Sequence, residues 1–267
     1  MKHLSLVIFT VLAQASAGLY LMLCLLQLTD QSTTPAIMIR GYVLSLLLLG
    51  IAGIASITHL GKPLRVMNVM NGLAHGSPLS WEIISVSLFG GATFVTAVLS
   101  FKGHSFAQQP VLPVITSVLG LIMVYAISLV YTLPTVKVWN TPWTLVQFLT
   151  TTVLSGCVLA SVLISFDGYN SQLLTVIAVI IFCIIMLQLP LIARFIGQLE
   201  GASTKAVNSK LPIIRMVLLV PGCLLWLLSM MKDQTSTGWV LAGALLLISS
   251  EIAGRIYFYD LLNLREI

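Results

Sequence analysis

Eight stretches of about twenty apolar residues, the length that crosses a bilayer, follow one another at 4–28, 37–60, 80–101, 111–132, 143–166, 172–196, 212–231 and 236–260. In lipid, every backbone N–H and C=O must find its partner inside the protein, and a long uninterrupted apolar run does so as a helix. Barrel strands would instead alternate apolar and polar residues over about 10 positions. The expected fold class is all-α: a polytopic membrane protein with a bundle of eight transmembrane helices. Composition removes the soluble alternative, since 58% of the 267 residues are hydrophobic and 8% charged, against roughly 25% charged in soluble domains. Gly, Pro and polar residues gather between the runs. Residues 1–267 therefore form a single transmembrane domain, and the basic start at Lys2 and His3 leads into an uncleaved first span.

The net charge is +5, from 13 basic and 8 acidic side chains. It is spread over short connections and does not form a tail that would neutralise nucleic acid. An even number of spans puts both termini on one face. That face carries ten of the basic residues, among them Lys62, Arg65, Lys205, Lys210 and Arg265, against Arg40, Lys102 and Lys232 opposite. By the positive-inside rule the termini are cytoplasmic. Docking of an acidic extrinsic partner on the two longest connections is a competing cause of the same bias.

Metal and haem chemistry find no ligand sets. The cysteines Cys24, Cys157, Cys183 and Cys223 lie far apart inside apolar runs, as small packing residues do. Of the histidines His3, His59, His75 and His104, only His59 borders a span core, whereas a haem held by two histidines needs pairs on facing helices. Phosphate-cradling glycine loops and nucleophile motifs are missing as well.

Three places resist a purely structural reading. At the end of span two, His59 precedes Gly61 and Pro63, a helix stop that leaves the imidazole at the membrane edge. The following 64–71 suits a short interfacial helix, with Arg65 and Asn68 on one face. At the start of span three stand Ser80, Trp81 and Glu82. A cap, an interface anchor and a first-turn acid favoured by the helix dipole would account for them. Yet the hairpin of spans two and three brings His59, Arg65 and Glu82 to one face, where they can bind and deprotonate a hydroxyl. In span eight, Glu251 and Arg255 are four apart with Phe258 on the same stripe. Charge there faces the bundle, and a structural ion pair between Glu251 and Arg255 explains it equally well. Arg215 is either a further partner or a snorkelling cation.

The stretch from His59 through Gly61, Lys62, Pro63 and Leu64 to Arg65, with Asn68, resembles the membrane anchor subunit family of bacterial anaerobic dimethyl sulfoxide reductase (DmsC family). So do Leu79-Ser80-Trp81-Glu82-Ile83, Glu251-Ile252-Ala253-Gly254-Arg255 with Phe258 and Tyr259, and the opening Val7-Ile8-Phe9-Thr10-Val11 with Gln14. The likeness runs over essentially the whole sequence. It implies a three-subunit complex in the bacterial inner membrane, with two extrinsic partners. One partner holds a molybdenum bis-guanylyl-dinucleotide and the other four [4Fe-4S] clusters. The anchor itself carries neither haem nor metal, binds menaquinol and passes its electrons to the iron–sulfur subunit. The resemblance assigns quinol binding to His59 and Glu82 and adds Arg65, Asn68, Arg255 and Tyr259 as matching positions. It also implies periplasmic termini, against the basic-residue count. Related complexes acting on tetrathionate, polysulfide or selenate share these features. A secondary transporter is the alternative from another class, and it would show helices broken near the midplane and repeat symmetry.

Overall fold

A computed structural model describes residues 4–29, 34–59, 69–104, 109–134, 136–167, 171–200, 210–230 and 237–261. Among them the secondary structure is helical: α1 (Leu4–Thr29), α2 (Pro35–His59), a short α3 (Val69–Ala74), α4 (Pro78–Phe101), α5 (Val111–Tyr131), α6 (Pro142–Asp167), α7 (Ser171–Glu200), α8 (Lys210–Met230) and α9 (Thr237–Asp260). Seven of the helices are long and apolar enough to cross a membrane, and α7 contributes a shorter apolar segment, Thr175–Pro190. The eight expected runs thus correspond to the eight long helices. The large apolar side chains left exposed, such as Ile54, Phe94, Val217 and Leu245, clothe outer faces as lipid-facing residues do. The protein is a multi-pass membrane protein.

Local chemistry moves one boundary. Pro78 occupies the first turn of α4, where its missing N–H is no loss, so the helix starts two residues before the apolar run, behind the cap residue Ser77. A short helix, Val69–Ala74, precedes α4; most of the one expected over 64–71, including Arg65 and Asn68, lies outside the described residues. Prolines 190 and 221 sit inside α7 and α8, and both helices run through them.

The fold divides into two compact units, Ile8–Gly156, and Cys157–Ile267 together with Met1–Val7. In the first, α1 is the hub. Ser16 and Ser45 exchange hydrogen bonds between α1 and α2, with hydroxyls 2.9 Å apart. The Tyr20 hydroxyl donates to Thr96 Oγ1 of α4 at 3.0 Å, and its ring packs on Tyr42 and edge-on against Phe89. Ala17 and Phe89 meet at Gly120 of α5. In the second unit, α8 and α9 form an antiparallel hairpin in which Gly243 lets the backbone of Gly222 and the side chain of Trp226 approach to 3.0 Å of where a Cβ would be. The Trp226 indole donates to Ser161 Oγ at 2.9 Å.

The closest helix approach in the first unit joins α1 to α6. A Cβ on Gly18 would overlap the Thr152 carbonyl, and one on Gly156 would overlap the Gly18 backbone. Backbone atoms cannot rotate away, so the helices would have to part. In lipid such close packing is a main source of helix association. Gly18→Ala is therefore expected to destabilise by about 1–3 kcal/mol. Gly50, with open space around it, should tolerate alanine or gain from its higher helix propensity. Thermal unfolding of the two purified variants checks this; equal midpoints would contradict it.

Candidate functional site

The site begins with the N-terminal end of α4. Because the helix starts at Pro78, Ser80 is not its cap, and the cap residue Ser77 makes no capping bond through its hydroxyl. Ser80 is buried against Gly72 of α3, whose missing Cβ makes room for its hydroxyl. Trp81 is 49% exposed, as an interface anchor requires. Glu82 falls in the second turn, with no acidic residue in the first, and only 7% of it is exposed. The helix-dipole explanation of this carboxylate therefore loses its geometry, since the effect falls off within the first turn. No described residue forms an ion pair with it. A carboxyl group buried without a cation is costly and marks a functional position more often than a structural one.

The ends of α2 and α4 share a level. Leu49 of α2 lies against Gly90 of α4, 3.1 Å from the position of a Cβ there. The two helices run antiparallel, so ten residues onward from Leu49 is His59 and ten residues back from Gly90 is Ser80. At 1.5 Å per residue, the last residue of α2 and the first turn of α4 reach the same height at the helix ends, with Glu82 two residues further along α4. Lys62, Arg65 and Asn68 fall in the connection between them, outside the described residues.

Other polar side chains of this unit are buried as well. Ser85 donates to the Glu82 carbonyl at 2.9 Å. Thr10 on α1, Ser128 on α5 and Gln147 on α6 are all buried. Tyr131 at the end of α5 packs between Trp139 and Phe148 at ring distances of 5.5 and 5.6 Å. Gln147 drew no attention in the sequence; its signal is a lone amide inside an apolar run.

The second unit holds the other charged cluster. Arg215 of α8 donates from Nη2 to Glu251 Oε1 of α9 at 3.1 Å, and both side chains are buried. Ser250 Oγ donates to the Arg215 carbonyl at 3.0 Å. Gly254 provides the slot, since a Cβ there would lie 2.7 Å from the guanidinium carbon. Of its two sequence readings, Arg215 thus takes the role of partner and not of snorkelling cation. Arg255 is buried one helical turn beyond Glu251, with its guanidinium carbon 5.5 Å from the Phe258 ring centre, a cation–π distance. Phe258 in turn meets Tyr259 edge-on at 5.5 Å. Cys24, Cys157 and Cys223 are buried as packing residues, while Cys183 is exposed on α7.

The profile of the DMSO reductase anchor subunit (DmsC) family matches residues 1–261. The chain belongs to that family. Among its relatives, the anaerobic dimethyl sulfoxide reductase chain YnfH of Escherichia coli (strain K12) is 30% identical over 96% of this sequence and 93% of the relative. The C subunit of the anaerobic dimethyl sulfoxide reductase of the same strain is 31% identical over the same shares. The corresponding C subunit of Haemophilus influenzae is 33% identical over 61% of this sequence and 58% of the relative. The coverage runs through both helical units, so family membership describes the whole bundle: it is a membrane anchor of the DMSO reductase type.

Proposed function

We propose that the protein is the menaquinol-oxidising anchor of a DMSO reductase-type complex in the bacterial inner membrane. Its partners are an iron–sulfur subunit with four [4Fe-4S] clusters and a catalytic subunit with molybdenum bis-guanylyl-dinucleotide. The observation that carries this reading is the burial of Glu82 beside the end of α2. Oxidation of a quinol releases two electrons and two protons, leaving the quinone. A hydroxyl must therefore face an acceptor when the electrons leave for a cluster of the partner. Glu82 takes the proton of one hydroxyl and neutral His59 that of the other, and both protons pass to the aqueous side. Arg65 stabilises the transient anion, and Asn68 is a further binding position. The partners dock on the face of the termini, where the long basic connections meet an acidic surface, and this face is periplasmic.

In the complex purified with its native partners, His59→Ala is expected to abolish acceptor reduction by a menaquinol analogue while reduction by an artificial donor, which bypasses the anchor, continues. The anchor should contribute no Soret band, because its histidines provide no axial pair. Full quinol-driven activity in this variant would leave the anchor as a tether only.

A further inference from the structure

Three helix registers converge on one buried layer of the first unit. Gly18 of α1 lies against Thr152 and Gly156 of α6, in parallel; eight residues back, Thr10 stands at the level of 144–148. Ala17 of α1 meets Gly120 of α5, antiparallel; seven residues along, Thr10 stands opposite Ile127. Tyr20 reaches Phe89 and Thr96 of α4; ten residues back, Thr10 is level with 79–86. Thr10, Glu82, Ile127 and Gln147 thus belong to one layer, and each of them is buried.

Within this layer Gln147 is 4% exposed, and its Oε1 has no hydrogen-bond partner among the described residues. A buried acceptor left unmade carries its full desolvation penalty, so native proteins rarely retain one without a use. If the amide served to bind helices together, its oxygen would accept from a neighbouring helix. A donor from a bound molecule would satisfy it.

We propose that Gln147 is a further binding residue of the quinol site, its Oε1 accepting a hydrogen bond from a quinol hydroxyl. The inference rests on the reading of Glu82 as a quinol ligand. The amide accepts from a quinol hydroxyl through Oε1 and, rotated, donates through Nε2 to a quinone oxygen, so it holds the ring in both oxidation states. Gln147 takes no part in the proton transfer.

The test uses the complete complex in lipid nanodiscs with a menaquinol analogue. Gln147→Met, similar in size and without the oxygen, is expected to raise KM for the analogue about tenfold, the loss of one hydrogen bond, with kcat nearly unchanged. Affinity for the oxidised analogue should fall as well, because Met also removes the Nε2 donor for a quinone oxygen, and the unfolding midpoint should hold or rise because a buried orphan is removed. If this variant does not assemble, Gln147→Asn, which withdraws the amide by one methylene, is measured for the same KM rise. An unchanged KM, or a lower unfolding midpoint without a change in KM, overturns the assignment and makes the amide a structural or water-bound group. Glu82→Gln, measured in parallel, separates the two failures: if it is inactive while Gln147 variants are normal, only Gln147 is reassigned. If it is fully active, the quinol site itself is misplaced.

Discussion

Glu82→Gln should lower menaquinol-driven turnover by about 10²–10⁴-fold, the range that a positioned general base contributes. The amide matches the carboxylate in shape, so helix α4 and the contacts around Ser85 should persist, and reduction by an artificial donor should remain at the level of the unsubstituted complex. What changes is the ability to accept a proton when the quinol hydroxyl ionises. The effect should therefore appear in kcat, in contrast to the KM effect expected at Gln147. Glu82→Asp keeps the carboxylate but retracts it by one methylene, and it should fall between the two because proton transfer needs hydrogen-bond reach. Comparable kcat values for Glu82→Gln and the unsubstituted complex would exclude Glu82 as the proton acceptor.

The second large effect concerns the pair buried between α8 and α9. Glu251→Leu leaves the Arg215 guanidinium without the carboxylate it meets at 3.1 Å, and breaking a buried pair in this way costs about 3–5 kcal/mol. The complex should assemble poorly, with a markedly lower unfolding midpoint. Removing both charges is different, because the desolvation penalty of the pair disappears together with its attraction. Arg215→Met combined with Glu251→Leu should recover most of the lost stability. Thermal unfolding and assembly yield measure the contrast. Quinol-driven turnover in the double variant then assigns the role: activity retained marks a structural pair, whereas a stable but inactive double variant would mark a chemical one. A double variant as unstable as Glu251→Leu alone would contradict the electrostatic account.

The arrangement also separates this anchor from a transporter of similar size. Helices α7 and α8 pass through Pro190 and Pro221 without ending, and a broken midplane helix that would cradle a substrate does not occur among the described residues. The charged side chains Glu82, Arg215, Glu251 and Arg255 instead sit one to a few turns from helix ends.

The apolar runs by themselves determined the class of fold, the number of long helices and most of their limits, because lipid imposes one solution on any such run: a helix with its hydrogen bonds satisfied internally. They also marked His59, Glu82 and Glu251, since a titratable group in or beside an apolar run stands out against 8% charged residues. Which groups meet was a different matter. Pairing of Glu251 with Arg215, 36 positions away, depends on the packing of α8 against α9 and on the slot at Gly254, and helical periodicity pointed only to a neighbour on the same helix. Pro78 gives the start of α4 a one-dimensional signal, yet the burial of Glu82 follows from what packs around that turn. Gln147 is the extreme case. As a residue it is one amide in an apolar segment, and only the packed unit shows that it is buried with its oxygen unpaired among the described residues. Periodicity reports which face of a helix is apolar, whereas the identity of the facing side chain is set by register between helices, which no single segment encodes.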